Sequence, residues 1–192
     1  MPALILASSS SYRKTLLQRL HLPFQCASPD IDETPSVNEP PEQLTQRLAL
    51  QKAQSLQQAF PQHLIIGSDQ VVLLDGQPVS KPGSHLEATR QLRASSGQTL
   101  TFSTALCLLN SASGNYQLIV EPYRVTFRQL DDAQIERYLS REKPYDCAGS
   151  FKSEGFGISL VHSMQGDDPN SLIGLPLIKL CDMLAKEGIY LP

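Results

Sequence analysis

Leu4-Ile5-Leu6-Ala7 opens the chain as an unbroken apolar run, the pattern of a strand buried on both faces. Ser8 to Ser11 interrupt it, and a helical period follows from Tyr12 to Leu20, with Leu16, Leu17 and Leu20 on one face. A strand that feeds a serine turn and then a helix is an α/β beginning. Phe24 to Ala27 predicts a short strand, and Asp30 to Pro41 a loop rich in proline and acid. From Glu42 to Phe60 the helical period returns, with Leu44, Leu48 and Leu56 inward, Gln, Arg and Lys outward, and Pro61 as the stop. Leu64 to Leu74 is the strongest strand, and Asp75-Gly76 turns it into a hairpin with Pro78-Val79. Ser84 to Glu87 fits a capping box for a helix that reaches Ala94. Thr99 to Leu109 and Tyr116 to Arg128 predict two long strands around a polar turn, and Asp131 opens a helix through Leu139. Ser150 to Ser163 reads as a glycine-rich turn and a strand; Leu175 to Lys186 reads as a closing helix, stopped at Gly188. With no internal repeat or low-complexity linker, this order predicts one α/β domain over residues 1–192 with a mixed sheet. In such folds a ligand sits at the carboxyl ends of strands.

Composition narrows the partners. The 41% of hydrophobic residues in 192 is enough for a substantial core. No stretch reaches the roughly 18 uninterrupted apolar residues of a membrane span. The apolar N-terminus lacks a basic segment, so it reads as a first strand and not as a signal peptide. A net charge of −3 without a long basic run gives no support for a nucleic acid duplex, but leaves room for a small anionic ligand. Cys26, Cys107, Cys147 and Cys181 are scattered, which favours buried free thiols in a reducing cytosol over zinc or disulfides.

Four places could carry chemistry. Ser8 to Lys14 would present backbone N–H groups and hydroxyls at a helix N-terminus, with Arg13 as a fork for phosphate. Taken alone it reads more readily as an ordinary N-cap beside a surface basic pair. Ser68-Asp69-Gln70 places a carboxylate inside an apolar strand, and the cost of burying it points to a cleft, a metal or a cationic partner. Asp32-Glu33-Thr34 is an acidic pair on a loop, and loop acids are usually solvated. Lys52 and Lys81 read as surface lysines unless something anionic lies near them, although Lys81 is fixed between Ser80 and Pro82. Gly149 to Gly157 sets Phe, Lys and Glu154 among glycines, which suits either a close backbone approach to a ligand or a surface turn.

Together these residues resemble the Maf family of nucleotide pyrophosphatases. The resemblance is carried by Leu4-Ile5-Leu6-Ala7-Ser8 with Ser10 and Arg13, Asp32-Glu33-Thr34, Lys52, Gly67-Ser68-Asp69-Gln70, Lys81-Pro82 and Gly174-Leu175-Pro176. It covers nearly the whole chain, in family order and spacing. It implies an elongated, two-lobed mixed-sheet fold shared with inosine triphosphate pyrophosphatases, with a central cleft. It also implies a catalytic acid at Asp69 and an active-site carboxylate at Glu33, both holding Mg²⁺ or Mn²⁺. Ser8, Arg13, Lys52 and Lys81 fall on the phosphate-binding set. An aromatic at Tyr12, with Gln70 and Glu154, resembles the subgroup that hydrolyses 7-methyl-GTP, where Trp is more usual at position 12. Physical chemistry supports that choice, because a cationic methylated guanine stacks on an aromatic face for roughly 0.5–2 kcal/mol. Glu154 can accept from guanine N1–H and its amine. The expectations are therefore a cytoplasmic enzyme, a nucleotide substrate and a homodimer. The rivals are a dTTP or UTP pyrophosphatase and a nucleotide-binding regulator of cell division.

Overall fold

A computed structural model describes residues 3–192. Strand β1 (Ala3–Ala7) lies in parallel between β2 (Phe24–Ala27) and β3 (His63–Leu74), with Leu4 opposite both Phe24 and Leu64. Helix α1 (Ser11–Gln18) links β1 to β2, and α2 (Pro41–Ser55) links β2 to β3. The two helices cover opposite faces of the sheet. Leu16 and Leu17 of α1 pack with Leu4, Leu6, Leu64 and Ile66. Ala49 and Ala53 of α2 pack with Ile5, Ala7 and Ile65, the alternate residues of the same strands. Neighbouring parallel strands whose connections leave on opposite faces form a switch point, and its crevice lies at their carboxyl ends.

The remaining strands are β4 (Gln77–Pro78), β5 (Thr99–Asn110), β6 (Tyr116–Phe127) and β7 (Val161–Gln165). The sheet runs β2-β1-β3-β5-β6-β7, with β4 paired to β3. β7 runs antiparallel to β6, so the sheet is mixed, as predicted. The chain divides into two compact units, one made of residues up to Gln70 with Thr104–Glu121 and Asp168–Pro192, the other of Val71–Ser103 and Pro122–Asp167. The first holds the core just described, closed by helix α5 (Leu177–Lys186) through Leu177, Leu180, Met183 and Leu184. The second holds α3 (His85–Ser95) and α4 (Asp132–Glu142), with Phe151 edge-on to Phe127 and tilted against Phe102.

Several predicted boundaries move. Helix α2 stops at Ser55, not Phe60, because the Leu56 and Gln57 amides bond only three residues back and tighten the last turn. Helix α4 extends past Leu139 to Glu142. At Ser84 the hydroxyl accepts from the Glu87 amide while the Glu87 carboxylate pairs with Arg90; the reciprocal box occurs at Asp131 and Gln134. The 150–163 segment is mostly short 3-10 turns, at Ala148–Ser150 and Phe156–Leu160. Of the cysteines only Cys107 is buried, and burial pushes its thiol up to about 12; Cys26 is exposed. Lys52, predicted on the outer face of its helix, is 6% exposed. Among the described residues no helix is long and apolar enough to cross a membrane.

Candidate active site

Strand β1 ends at Ala7, and the next residue, Ser8, is buried, its Oγ accepting from the Ser10 amide at 3.1 Å. Ser10 then caps α1, accepting from the Arg13 amide. The serines therefore fold the turn that sets Tyr12 and Arg13 on the first turn of the helix. Both side chains are half-buried. Arg13 Nε donates to the Gly174 carbonyl at 2.9 Å. Burial lowers its affinity for a proton, and Asp69 and Glu33 oppose that, so its charge is felt by both acids.

Asp69 lies on β3 beyond the stretch that pairs with β1, at the carboxyl end of the parallel strands. Its neighbour Gly67 lets α2 come close, since a Cβ there would overlap the Ala49 carbonyl oxygen. That approach brings Lys52, one turn along α2, against the strand. Lys52 Nζ donates to Asp69 Oδ1 at 2.7 Å and pairs with Glu33 Oε1 at 2.9 Å. One ammonium thus spans the two carboxylates, and their oxygens are separated by no more than the sum of those distances. Burial raises the Asp69 carboxyl above its ordinary 3.8; Lys52 and Arg13 pull it back, and Glu33 adds to the rise.

Glu33 is exposed on an irregular loop, so something else must fix it. Arg47 of α2 does so. Its Nε and Nη2 hold Glu39 in a two-pronged bond at 2.7 and 2.8 Å, and Nη2 also donates to the Thr34 carbonyl at 3.0 Å. The guanidinium holds Glu39 down to about 2, so this clamp stays charged well below the usual carboxylate range.

Strand alternation separates the next residues. Asp69 points to the α2 face, while Ser68 and Gln70 point to the face of α1 and α5. Ser68 Oγ lies 2.9 Å from both the Ala105 and the Gly174 carbonyl oxygens. Gln70 Nε2 donates to Thr104 Oγ1 and the Ser171 carbonyl, both at 2.8 Å. Lys81 and Glu154, both exposed, belong to the second compact unit. Glu154 accepts from Ser153 Oγ at 3.4 Å.

The structure thus joins Glu33, Lys52 and Asp69 directly and couples Arg13 to both acids. Sequence reasoning did not single out Arg47, Thr104 or Asp168. Arg47 looked like an outward-facing helix residue, and its signal was only the acidic loop thirteen residues before it. Thr104 carried no signal inside an apolar strand.

The half-buried acid Asp69 thus stands beside two cations at the β1/β3 switch point of a mixed α/β sheet. Residues 3–187 match the family of Maf-like proteins, and the chain is a member of it. It is 57% identical to the 7-methyl-GTP pyrophosphatase of Pseudomonas savastanoi pv. phaseolicola, over 100% of both chains. Over the same full length it is 58% identical to the protein of that name from Pseudomonas syringae pv. tomato and 55% identical to that from Pseudomonas aeruginosa.

Proposed function

We propose that this chain is a nucleoside triphosphate pyrophosphatase that hydrolyses 7-methyl-GTP to 7-methyl-GMP and pyrophosphate. The observation that carries the reading is full-length identity of 55–58% to three proteins of that name. The cluster of Asp69, Lys52, Glu33 and Arg13 fits the chemistry. Burial raises Asp69 towards the range of a useful general base, and it takes the proton of the attacking water. Lys52 and Arg13 oppose the charge that grows on the phosphate oxygens, with Ser8 and Lys81 completing the phosphate set. No covalent intermediate is required.

A divalent cation fits the donor set. Glu33 and Asp69 already converge on one cationic atom, and carboxylate oxygens suit Mg²⁺ or Mn²⁺. Among the described residues no group of three or more acids, histidines or cysteines could hold a metal, so the phosphates and water would complete its shell. Such an ion would offset triphosphate charge and acidify the attacking water.

Tyr12 stacks on the methylated base, and Gln70 and Glu154 read its edge. The free thiols suit a cytoplasmic enzyme, and a homodimer is the assembly proposed for it. The test is pyrophosphate release from 7-methyl-GTP, GTP, dTTP and UTP, with Mg²⁺ or Mn²⁺ and with chelator. Preference for 7-methyl-GTP is expected. Preference for a pyrimidine would move the chain to another branch, and binding without turnover would make it a nucleotide-binding regulator.

A further inference from the structure

Asp168 is fully buried, yet it is far from the acid–cation cluster in sequence and takes no part in it. Its Oδ1 accepts from the Asn170 amide at 2.8 Å and from Asn170 Nδ2 at 2.7 Å; its Oδ2 accepts from the Ile178 amide at 2.7 Å. Ile178 is in the first turn of α5, whose own N-cap, Pro176, has no side chain to offer. The carboxylate therefore caps α5 from a distance, where negative charge is favoured. The Asp168 carbonyl also accepts from the Ser171 amide and hydroxyl. Residues 168–174 are thus folded around one buried carboxylate.

The carbonyls of that segment face the strand that carries Asp69. Gly174 O lies 2.9 Å from both Arg13 Nε and Ser68 Oγ. Ser171 O accepts from Gln70 Nε2 and from Thr104 Oγ1, each at 2.8 Å, and Leu172 O lies 3.3 Å from Gln70 Nε2. Carbonyl oxygens only accept, so the Gln70 amide nitrogen must face them. Thr104 has given its proton to Ser171, so it too accepts from Gln70. Both amide hydrogens of Gln70 are spent on the protein, and its carbonyl oxygen, an acceptor, is the group left for a ligand.

We propose that Asp168 is a positioning residue for base discrimination: it fixes segment 168–174, which with Thr104 holds Gln70 so that only Oε1 is offered to the base. A lone acceptor suits a purine edge carrying N–H donors, as guanine does. The inference rests on the reading of the site as one for 7-methyl-GTP, and its test separates the two.

The test is the ratio of kcat/KM for 7-methyl-GTP to that for UTP in the wild type, Asp168→Asn, Gln70→Met and the double variant. Asn at 168 sets an N–H donor against N–H donors and releases the segment. Each single change is expected to narrow the ratio by about tenfold, the worth of a hydrogen bond, and the double variant to narrow it no further. An equal loss on both nucleotides, or effects that multiply, would overturn the proposal and leave Asp168 a structural cap. Should Asp168→Asn not fold, Thr104→Val removes the hydroxyl that Gln70 meets; the same narrowing supports the proposal, and an unchanged ratio overturns it. If the wild type prefers another nucleotide, the cycle is run on that preferred pair. A narrowing there keeps the role of Asp168 while the 7-methyl-GTP reading fails, and a wild type without preference ends both.

Discussion

At the scale of single residues, the decisive contact is Lys52 between Glu33 and Asp69. It explains why a buried lysine and a half-buried aspartate stand in an otherwise apolar setting: each offsets the desolvation of the other. Asp69→Asn keeps the size and loses the base, so turnover is expected to fall by roughly 10²–10⁴-fold while nucleotide binding, read by calorimetry, persists. The pH profile follows from the same contacts. Asp69 must be ionised to act, and burial raises its carboxyl above the ordinary 3.8, so the acid limb of kcat/KM is expected at higher pH than an ordinary aspartate would give. The fold favours the protonated acid, so the contribution of Asp69 to stability shrinks as pH climbs from 3.8 through that raised value. Lys52 favours the ionised form; Lys52→Gln is therefore expected to move the acid limb to higher pH, and a limb that stays in place would remove Lys52 from control of the base.

At the scale of elements, the site depends on how closely α2 approaches β3. Gly67 sets that approach, because a methyl group there meets backbone, which yields less than a side chain would. Gly67→Ala is expected to cost about 1–3 kcal/mol in denaturant titration. It should also cost activity, since Lys52 rides on the same helix. The elements themselves were largely legible in the sequence. The apolar runs of β1 and β3, the Asp75-Gly76 turn and the Gly188 stop all lie where periodicity put them. Helix ends were less legible, because the last turn of α2 is decided by tightened hydrogen bonds that no periodicity encodes. The site was half legible. Asp69 betrayed itself as a charge inside an apolar strand, while Arg47, Thr104 and Asp168, which hold the Thr34 loop, Gln70 and the start of α5, meet their partners only through folding. Lys52 was misplaced outward, because helical period reports a face and not what waits opposite it.

For the whole molecule, family membership and the strand order agree: the first three strands form the parallel frame, and the acid stands at its carboxyl end. Two carboxylates are too few for a tight resident metal site, which sets a measurable order of assembly. Titration of Mg²⁺ into the nucleotide-free protein is expected to give at most millimolar binding, and much tighter uptake once nucleotide is present. Tight binding to the free protein would require ligands beyond Glu33 and Asp69. The alternation of β3 carries one more consequence. Positions 69 and 70 are adjacent in the chain but look out from opposite sides of the sheet. On the proposed reading of Gln70 as a base-contacting residue, a lineage can therefore exchange residue 70, and retune which nucleotide it accepts, without changing the face on which the acid stands. Divergence of substrate preference by single codon changes is open to a protein built this way, at no expense to its chemistry.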